Sequence, residues 1–222
     1  MGKLIVIEGT DGSGKSTQFA LMCQRLTNDG KDFKKIVFPR YDQPSSALIR
    51  MYLGGEFGLK PSDVNAYAAS SFYAVDRYAS YKQDWGKWYE EGGLVLSDRY
   101  TTSNAVHQAS KQSGQAQKDF LKWLYEYEYD QLGLPRPDLT IYLDVPTDFT
   151  EKLMRSREQA TNTHADIHEQ DMKYLATCRE TGRAAAAYYG WTVIECVRDG
   201  RMRSIEDIHE EIYQHISACL ED

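Results

Sequence analysis

The chain has 222 residues, enough for one domain with a substantial core, and its 41% hydrophobic and 27% charged content is ordinary for a soluble globular protein. A formal net charge of -7 argues against broad binding to nucleic acid or anionic membrane, because both need a basic surface. No apolar stretch approaches a membrane span, no signal-like segment follows the start, and Cys23, Cys178, Cys196 and Cys219 lack CxxC or metal spacing, so a cytoplasmic protein with reduced thiols is expected.

In chain order, the apolar run at residues 3–7 leads into Gly9-Thr10-Asp11-Gly12-Ser13-Gly14-Lys15-Ser16 and Thr17. A strand, a glycine-rich turn and a helix in that order form the phosphate-binding pattern G-x-x-x-x-G-K-[ST]. Glycines allow positive φ, so successive N–H groups can converge on phosphate oxygens, and the helix adds the positive end of its dipole. Lys15 supplies a mobile charge for the outer phosphates and Ser16 a hydroxyl for a magnesium ion.

Further β-prone runs fall at 35–38, 93–97, 139–145 and 191–197, between helical stretches at 15–29, 45–53, 62–91, 101–112, 115–131, 147–157, 168–189 and 204–220. Ser62, after Pro61, is placed to start the long third helix, and Pro135 and Pro137 break the chain before the fourth strand. Strands alternating with helices predict an α/β fold: a five-stranded parallel sheet flanked by helices, in one domain over residues 1–222. Residues 159–165 read as a mobile loop. His164 and His168, four apart but with no third ligand in view, read as solvated side chains.

Ligands of such sheets bind beyond the carboxyl ends of the strands. That rule gathers Gly9–Ser16, Phe38–Tyr41, Asp98–Tyr100 and the segment after Asp144 at one edge. Asp98 there is suited to hold magnesium opposite Ser16, and Arg99 to grip a second phosphate; the alternative is that Asp98 caps the next helix and Arg99 pairs with an acid. Arg40 faces the same edge, or is a plain surface arginine. Tyr73 and Arg77 share a helix face, where a ring and a guanidinium can grip a flat base, although an aromatic at helical spacing is more often core.

The phosphate loop with Glu8 before it, Asp98-Arg99-Tyr100 followed by Ser103-Asn104-Ala105-Val106-His107-Gln108, and Pro137-Asp138-Leu139-Thr140-Ile141-Tyr142-Leu143-Asp144 resemble the thymidylate kinases, in order and spacing. The resemblance implies a P-loop NTPase fold and transfer of the γ-phosphate of ATP to dTMP with Mg2+, and a homodimer. It implies Asp11 near the phosphate and sugar of the acceptor, and Arg40 and Arg99 on the acceptor phosphate. Tyr73 would stack on thymine, Arg77 would contact the base, and Phe38, Tyr100, Asn104 and Gln108 would line the pocket. Glu169 resembles the acid that ends the family's lid motif. The chain departs from the pattern in two places. Ser13 holds the variable loop position and no lysine or arginine occurs from Glu158 to Asp171, which leaves Arg155 and Arg157 as lid cations. His107 stands where an aromatic often discriminates against a ribose 2′-oxygen.

Overall fold

The first strand, β1 (Lys3–Gly9), sends alternate side chains into two apolar layers. Leu4 and Val6 join Ile36, Trp85, Val95 and Tyr100, whereas Ile5 and Ile7 join Met22, Leu96, Ile141 and Ile194. A strand buried on both faces belongs at the centre of a sheet covered on both sides. The other strands are β2 (Phe33–Val37), β3 (Leu94–Asp98), β4 (Leu139–Asp144) and β5 (Thr192–Glu195). All run parallel in the order β2-β3-β1-β4-β5, as the alternation of strands and helices predicts. The structure, a computed structural model, describes residues 1–161, 168 and 171–221, with only the backbone of 156–161.

The helices are α1 (Lys15–Asn28), α2 (Ala47–Leu53), α3 (Ala66–Ser80), α4 (Gly86–Glu90), α5 (Thr101–His107), α6 (Gly114–Tyr125), α7 (Thr147–Thr161), α8 (Met172–Tyr189) and α9 (Ile205–Glu221). Phe19, Met22 and Leu26 of α1 and Ile208, Ile212 and Ile216 of α9 cover one face of the sheet. No described helix is long and apolar enough to cross a membrane.

The expected long helix over 62–91 starts late, at Ala66, and then runs helical to Glu90 with one π turn inside it. Pro61–Asp63 form only a 3-10 turn, Val64 is extended, and Asn65 caps α3 by accepting from Ala68 N at 2.9 Å. Asn65 outcompetes Ser62 because its carbonyl reaches an otherwise unpaired N–H of the first turn. A π turn over Tyr81–Trp85 then separates α3 from α4. Gly86 permits that turn, since a Cβ there would lie 2.5 Å from Tyr81 O. Likewise α8 begins at Met172, not at 168, because the Asp171 carboxylate accepts from Tyr174 N at 2.9 Å. The last expected strand, 191–197, ends at Glu195. Beyond it β6 (Val197–Arg198) and β7 (Arg201–Met202) form a small hairpin, turned by Asp199 and Gly200 at φ 52 and 71.

Candidate active site

Because every strand of the sheet is parallel, Gly9, Val37, Asp98 and Asp144 end at one edge. The phosphate loop lies there, between β1 and α1. Gly12 and Gly14 take φ of 75 and 81, a region that costs a side chain about 1 kcal/mol or more. Gly12 also has no room for a Cβ, which would meet Thr150 O of α7 at 2.6 Å. Lys15 Nζ lies 3.4 Å from Thr10 O and 3.5 Å from Asp11 Oδ1.

Ser16 Oγ donates to Asp98 Oδ2 at 3.2 Å, so the loop and β3 meet as their spacing predicts. Asp98 Oδ1 is buried and has no hydrogen-bond partner among the described residues. A hydroxyl beside a carboxylate with one free oxygen fits a hard cation that keeps most of its water. Among the described residues no group of three or more His, Cys, Asp or Glu is placed to hold a metal. Arg99, next in sequence, is held in the left-handed region at φ 67, which swings its side chain back over the loop. Its guanidinium pairs with Asp11 Oδ1, and its Nη1 lies 3.7 Å from Glu8 Oε1, 3.3 Å from Ser103 Oγ and 3.3 Å from His107 Nε2. Glu8 is fully buried and accepts from Thr102 and Ser103, both at 2.7 Å.

A cavity opens beside Arg99. Phe38, Tyr73, Arg77, Arg99, Tyr100, Asn104, His107 and Gln108 all line it, together with Asp11. Its floor is a buried ion pair: Arg77 donates through Nε to Glu128 Oε2 at 2.6 Å and through Nη2 to Oε1 at 2.5 Å. Arg77 Nη1 also donates to Tyr100 O at 3.3 Å, and Asn104 Nδ2 to Glu128 Oε1 at 3.2 Å. Gln108 Oε1 is buried, has no hydrogen-bond partner among the described residues and belongs to a residue that lines the cavity, so it is an acceptor suited to a ligand. The cavity thus has aromatic walls and a polar floor, as a flat heterocycle with amide edges requires.

Burial raises the Asp11 carboxyl, but Arg99 and Lys15 overcome this and hold it well below the usual carboxylate range. Burial, then Arg99, lowers Lys15, with Asp11, Asp98 and Glu8 opposing. Burial also lowers Arg99, yet Asp11 and Glu8 more than restore it, so it is a permanent cation. Burial keeps His107 neutral, well below its ordinary value.

Three expectations need correction or lie out of reach. Arg40 does not line the cavity. Its guanidinium turns to Asp76 Oδ1 at 3.3 Å and Asp84 Oδ2 at 2.6 Å, while its own N–H donates to Asp76 Oδ2 at 2.9 Å. Asp76, buried on α3, captures it; its neighbour Tyr41 lines the cavity instead. His168 is not solvated. It is only 5% exposed, lines the cavity, stacks on His107 at 5.7 Å and places Nε2 2.9 Å from Tyr52 Oη. Burial lowers its pKa to about 4. Of the lid, Arg155 sits on the exposed side of α7, 2.5 Å from Glu151 Oε1. The Arg157 side chain, Glu169 and residues 162–167 lie outside the described residues.

Sequence reasoning missed Glu128 and His168. Tyr41 was gathered at the correct edge by the strand-end rule but given no role. Glu128 is one of three acids in the Glu126–Gln131 π turn, and nothing local marks it, rather than Glu126 or Asp130, as Arg77's partner.

A sequence model of the thymidylate kinase family matches residues 7–212, nearly the whole chain. The chain belongs to the thymidylate kinase family. It is thereby a nucleotide kinase, a transferase of the class that phosphorylates dTMP. A thymidylate kinase of Mycobacterium tuberculosis is 32% identical over 194 residues, covering 85% of this chain and 87% of that protein. A thymidylate kinase of Halothermothrix orenii is 31% identical over 228 residues, covering 99% and 98%. A probable thymidylate kinase of Pyrobaculum aerophilum is 30% identical over 194 residues, covering 87% and 88%.

Proposed function

We propose that this chain, as one kinase domain over residues 1–222, transfers the γ-phosphate of ATP to dTMP, and that the cavity beside Arg99 takes the acceptor. One observation carries the reading. Asp11 Oδ1 is shared between Arg99 and Lys15, which links the cavity to the phosphate loop through a single carboxylate. Two phosphate-gripping cations thus sit on either side of one anion, where donor and acceptor phosphates must meet.

In this reading the loop from Gly9 to Thr17 cradles the donor phosphates with backbone N–H groups, and Lys15 follows the transferring charge. Arg99 grips the acceptor phosphate. Phe38, Tyr73 and Tyr100 enclose the base, while Arg77, Asn104 and Gln108 present polar groups to its edges. The attacking atom is already an anionic phosphate oxygen, so no general base is needed. Asp11, permanently ionised, holds Lys15 and Arg99 in register. Ser16 and Asp98 would hold Mg2+, which when bound neutralises charge on the donor phosphates. Arg155, Arg157 and Glu169, on a lid at about 155–169, remain proposed contributors to closure over the phosphates.

We place the reaction in dTTP synthesis in the cytoplasm, which four free thiols support. A homodimer is proposed through α3, whose Tyr67, Val75 and Tyr78 expose an apolar stripe. The test of substrate is a coupled ADP-release assay with dTMP, dUMP, dCMP, dGMP and thymidine side by side. The highest kcat/KM is expected for dTMP, with dUMP lower by the roughly 1 kcal/mol of one buried methyl group. A better rate with dCMP, or with the nucleoside, would refute the assignment.

A further inference from the structure

A second cleft, of about 460 Å³, lies behind the acceptor cavity; Lys60, Asn65, Ser110, Lys111, Asp171 and Lys173 are among the residues that line it. Lys111 stands in the wall between the two. Its Nζ donates to Tyr52 Oη at 3.0 Å and to Val64 O at 2.8 Å. An ammonium carries three N–H donors, so one is left; both hydrogen-bond partners are neutral oxygens, and the ammonium also lies 5.1 Å from the centroid of the Tyr52 ring. Lys111 forms no ion pair with any described residue. Asp171, the acid of the cleft, uses Oδ1 to cap α8 through Tyr174 N at 2.9 Å.

This is an anomaly in a chain with 33 acidic and 26 basic residues. A largely buried cation without a counter-charge is costly unless something else supplies the negative charge. Burial lowers Lys111 to about 8, opposed only by Cys178. At pH 7 about nine molecules in ten still carry the charge. Lys60 and Lys173 add two exposed cations around the same cleft, while the Asn65 side-chain amide adds an N–H donor; the Ser110 hydroxyl already donates to His107 O at 2.7 Å. The lining therefore has the composition of an anion site, with one buried anchor and a mobile cationic rim.

We infer that this cleft binds an oligophosphate anion, with Lys111 as the buried anchor and Lys60 and Lys173 closing over it. The site is distinct from the phosphate loop and from Arg99. It shares only a wall with the acceptor cavity, because Tyr52, which accepts from Lys111, also contacts His168. The inference does not depend on which nucleotide fills that cavity.

The test is competitive labelling of the wild-type chain with trace acetic anhydride, read lysine by lysine by mass spectrometry. ADP and dTMP are present at saturation, and inorganic tripolyphosphate is compared with sodium chloride of equal ionic strength. Millimolar tripolyphosphate is expected to lower labelling of Lys111 at pH 7 about tenfold, the change that a one-unit rise in its pKa gives. Lys60 and Lys173 should be protected in parallel, and Lys111→Met should remove their protection. A nucleoside triphosphate run beside it separates the sources: equal protection assigns recognition to the phosphate chain, and stronger protection adds a contact to the base. Unchanged labelling of Lys111, or a fall no greater than that of the exposed Lys87 and Lys122, would overturn the site. Labelling of Lys15 in the same spectra reports the phosphate loop separately.

Discussion

Arg77 and Glu128 form a two-bond ion pair, at 2.6 and 2.5 Å, beneath the acceptor cavity, and both residues are essentially inaccessible to solvent. Glu128 also accepts from Thr101 at 2.7 Å and from Asn104 at 3.2 Å, so one carboxylate orders three groups of the cavity. Removing it leaves the Arg77 guanidinium buried and unpaired. Glu128→Ala is therefore expected to lower the unfolding free energy by about 3–5 kcal/mol, the range for breaking a buried pair. Chemical denaturation measures it, and a loss below about 1 kcal/mol would show that water or another acid replaces the partner.

Arg99 and Arg40, equivalent in the sequence reading, should separate in experiment. Arg99→Ala is expected to weaken dTMP binding by about 2–3 kcal/mol while ATP binding changes little, because the lost contact is a charge-assisted one to the acceptor phosphate. Arg40→Ala should instead lower stability by about 1–3 kcal/mol, since Asp76 stays buried with fewer donors. Calorimetric titration and denaturation of both variants check this. Equal losses of dTMP affinity at unchanged stability would return Arg40 to the cavity.

How much of this was legible without coordinates depended on whether the signal was local. The phosphate loop and the Ser16–Asp98 meeting follow from strand ends, whereas the gathering of Phe38, Tyr73, Arg77, Tyr100, Asn104 and Gln108 in one cavity was implied by the family resemblance; both arrangements appear in the structure. Arg40 was misplaced because its fate depends on Asp76, 36 residues away, and spacing carries no charge balance. Glu128 was invisible for the same reason, being 51 residues from Arg77. The helix break at Asn65 was a choice between two adequate caps, Ser62 and Asn65, that propensity alone does not decide. The Asp199-Gly200 hairpin, by contrast, carried a recognisable turn dipeptide just beyond the expected strand at 191–197.

His168 gives a pH dependence of definite sign. Burial lowers its folded pKa to about 4, from an ordinary 6.5. Between these values the unfolded chain binds the extra proton, so stability rises with pH through this window. The effect is fully present above pH 6.5 and is lost as pH falls toward 4; two and a half units amount to about 3 kcal/mol. His168→Phe should flatten the slope of unfolding free energy between pH 4 and 6.5. An unchanged slope would mean that His107 alone, also lowered by burial, sets it.

The lid cations admit a direct trial. If either Arg155 or Arg157 acts on the transferring group, its alanine variant should lose kcat with little change in substrate affinity. Positions spaced i, i+2 on a helix do not share a face, so one of the two is expected to dominate. Single and double variants are assayed at saturating ATP and dTMP. Near-normal kcat in the double variant would move the role to Lys15.

The central claim is that the phosphate loop and the cavity beside Arg99 act as one phosphoryl-transfer site. The most direct measurement is to follow label from γ-labelled ATP in the wild-type chain and in Lys15→Ala, with and without dTMP. The account predicts that wild type places the label in dTDP, releases almost none as inorganic phosphate, and transfers none without dTMP. It predicts that Lys15→Ala, folded as judged by circular dichroism, loses transfer by orders of magnitude. Label appearing in inorganic phosphate regardless of dTMP, or an unimpaired Lys15→Ala, would contradict it.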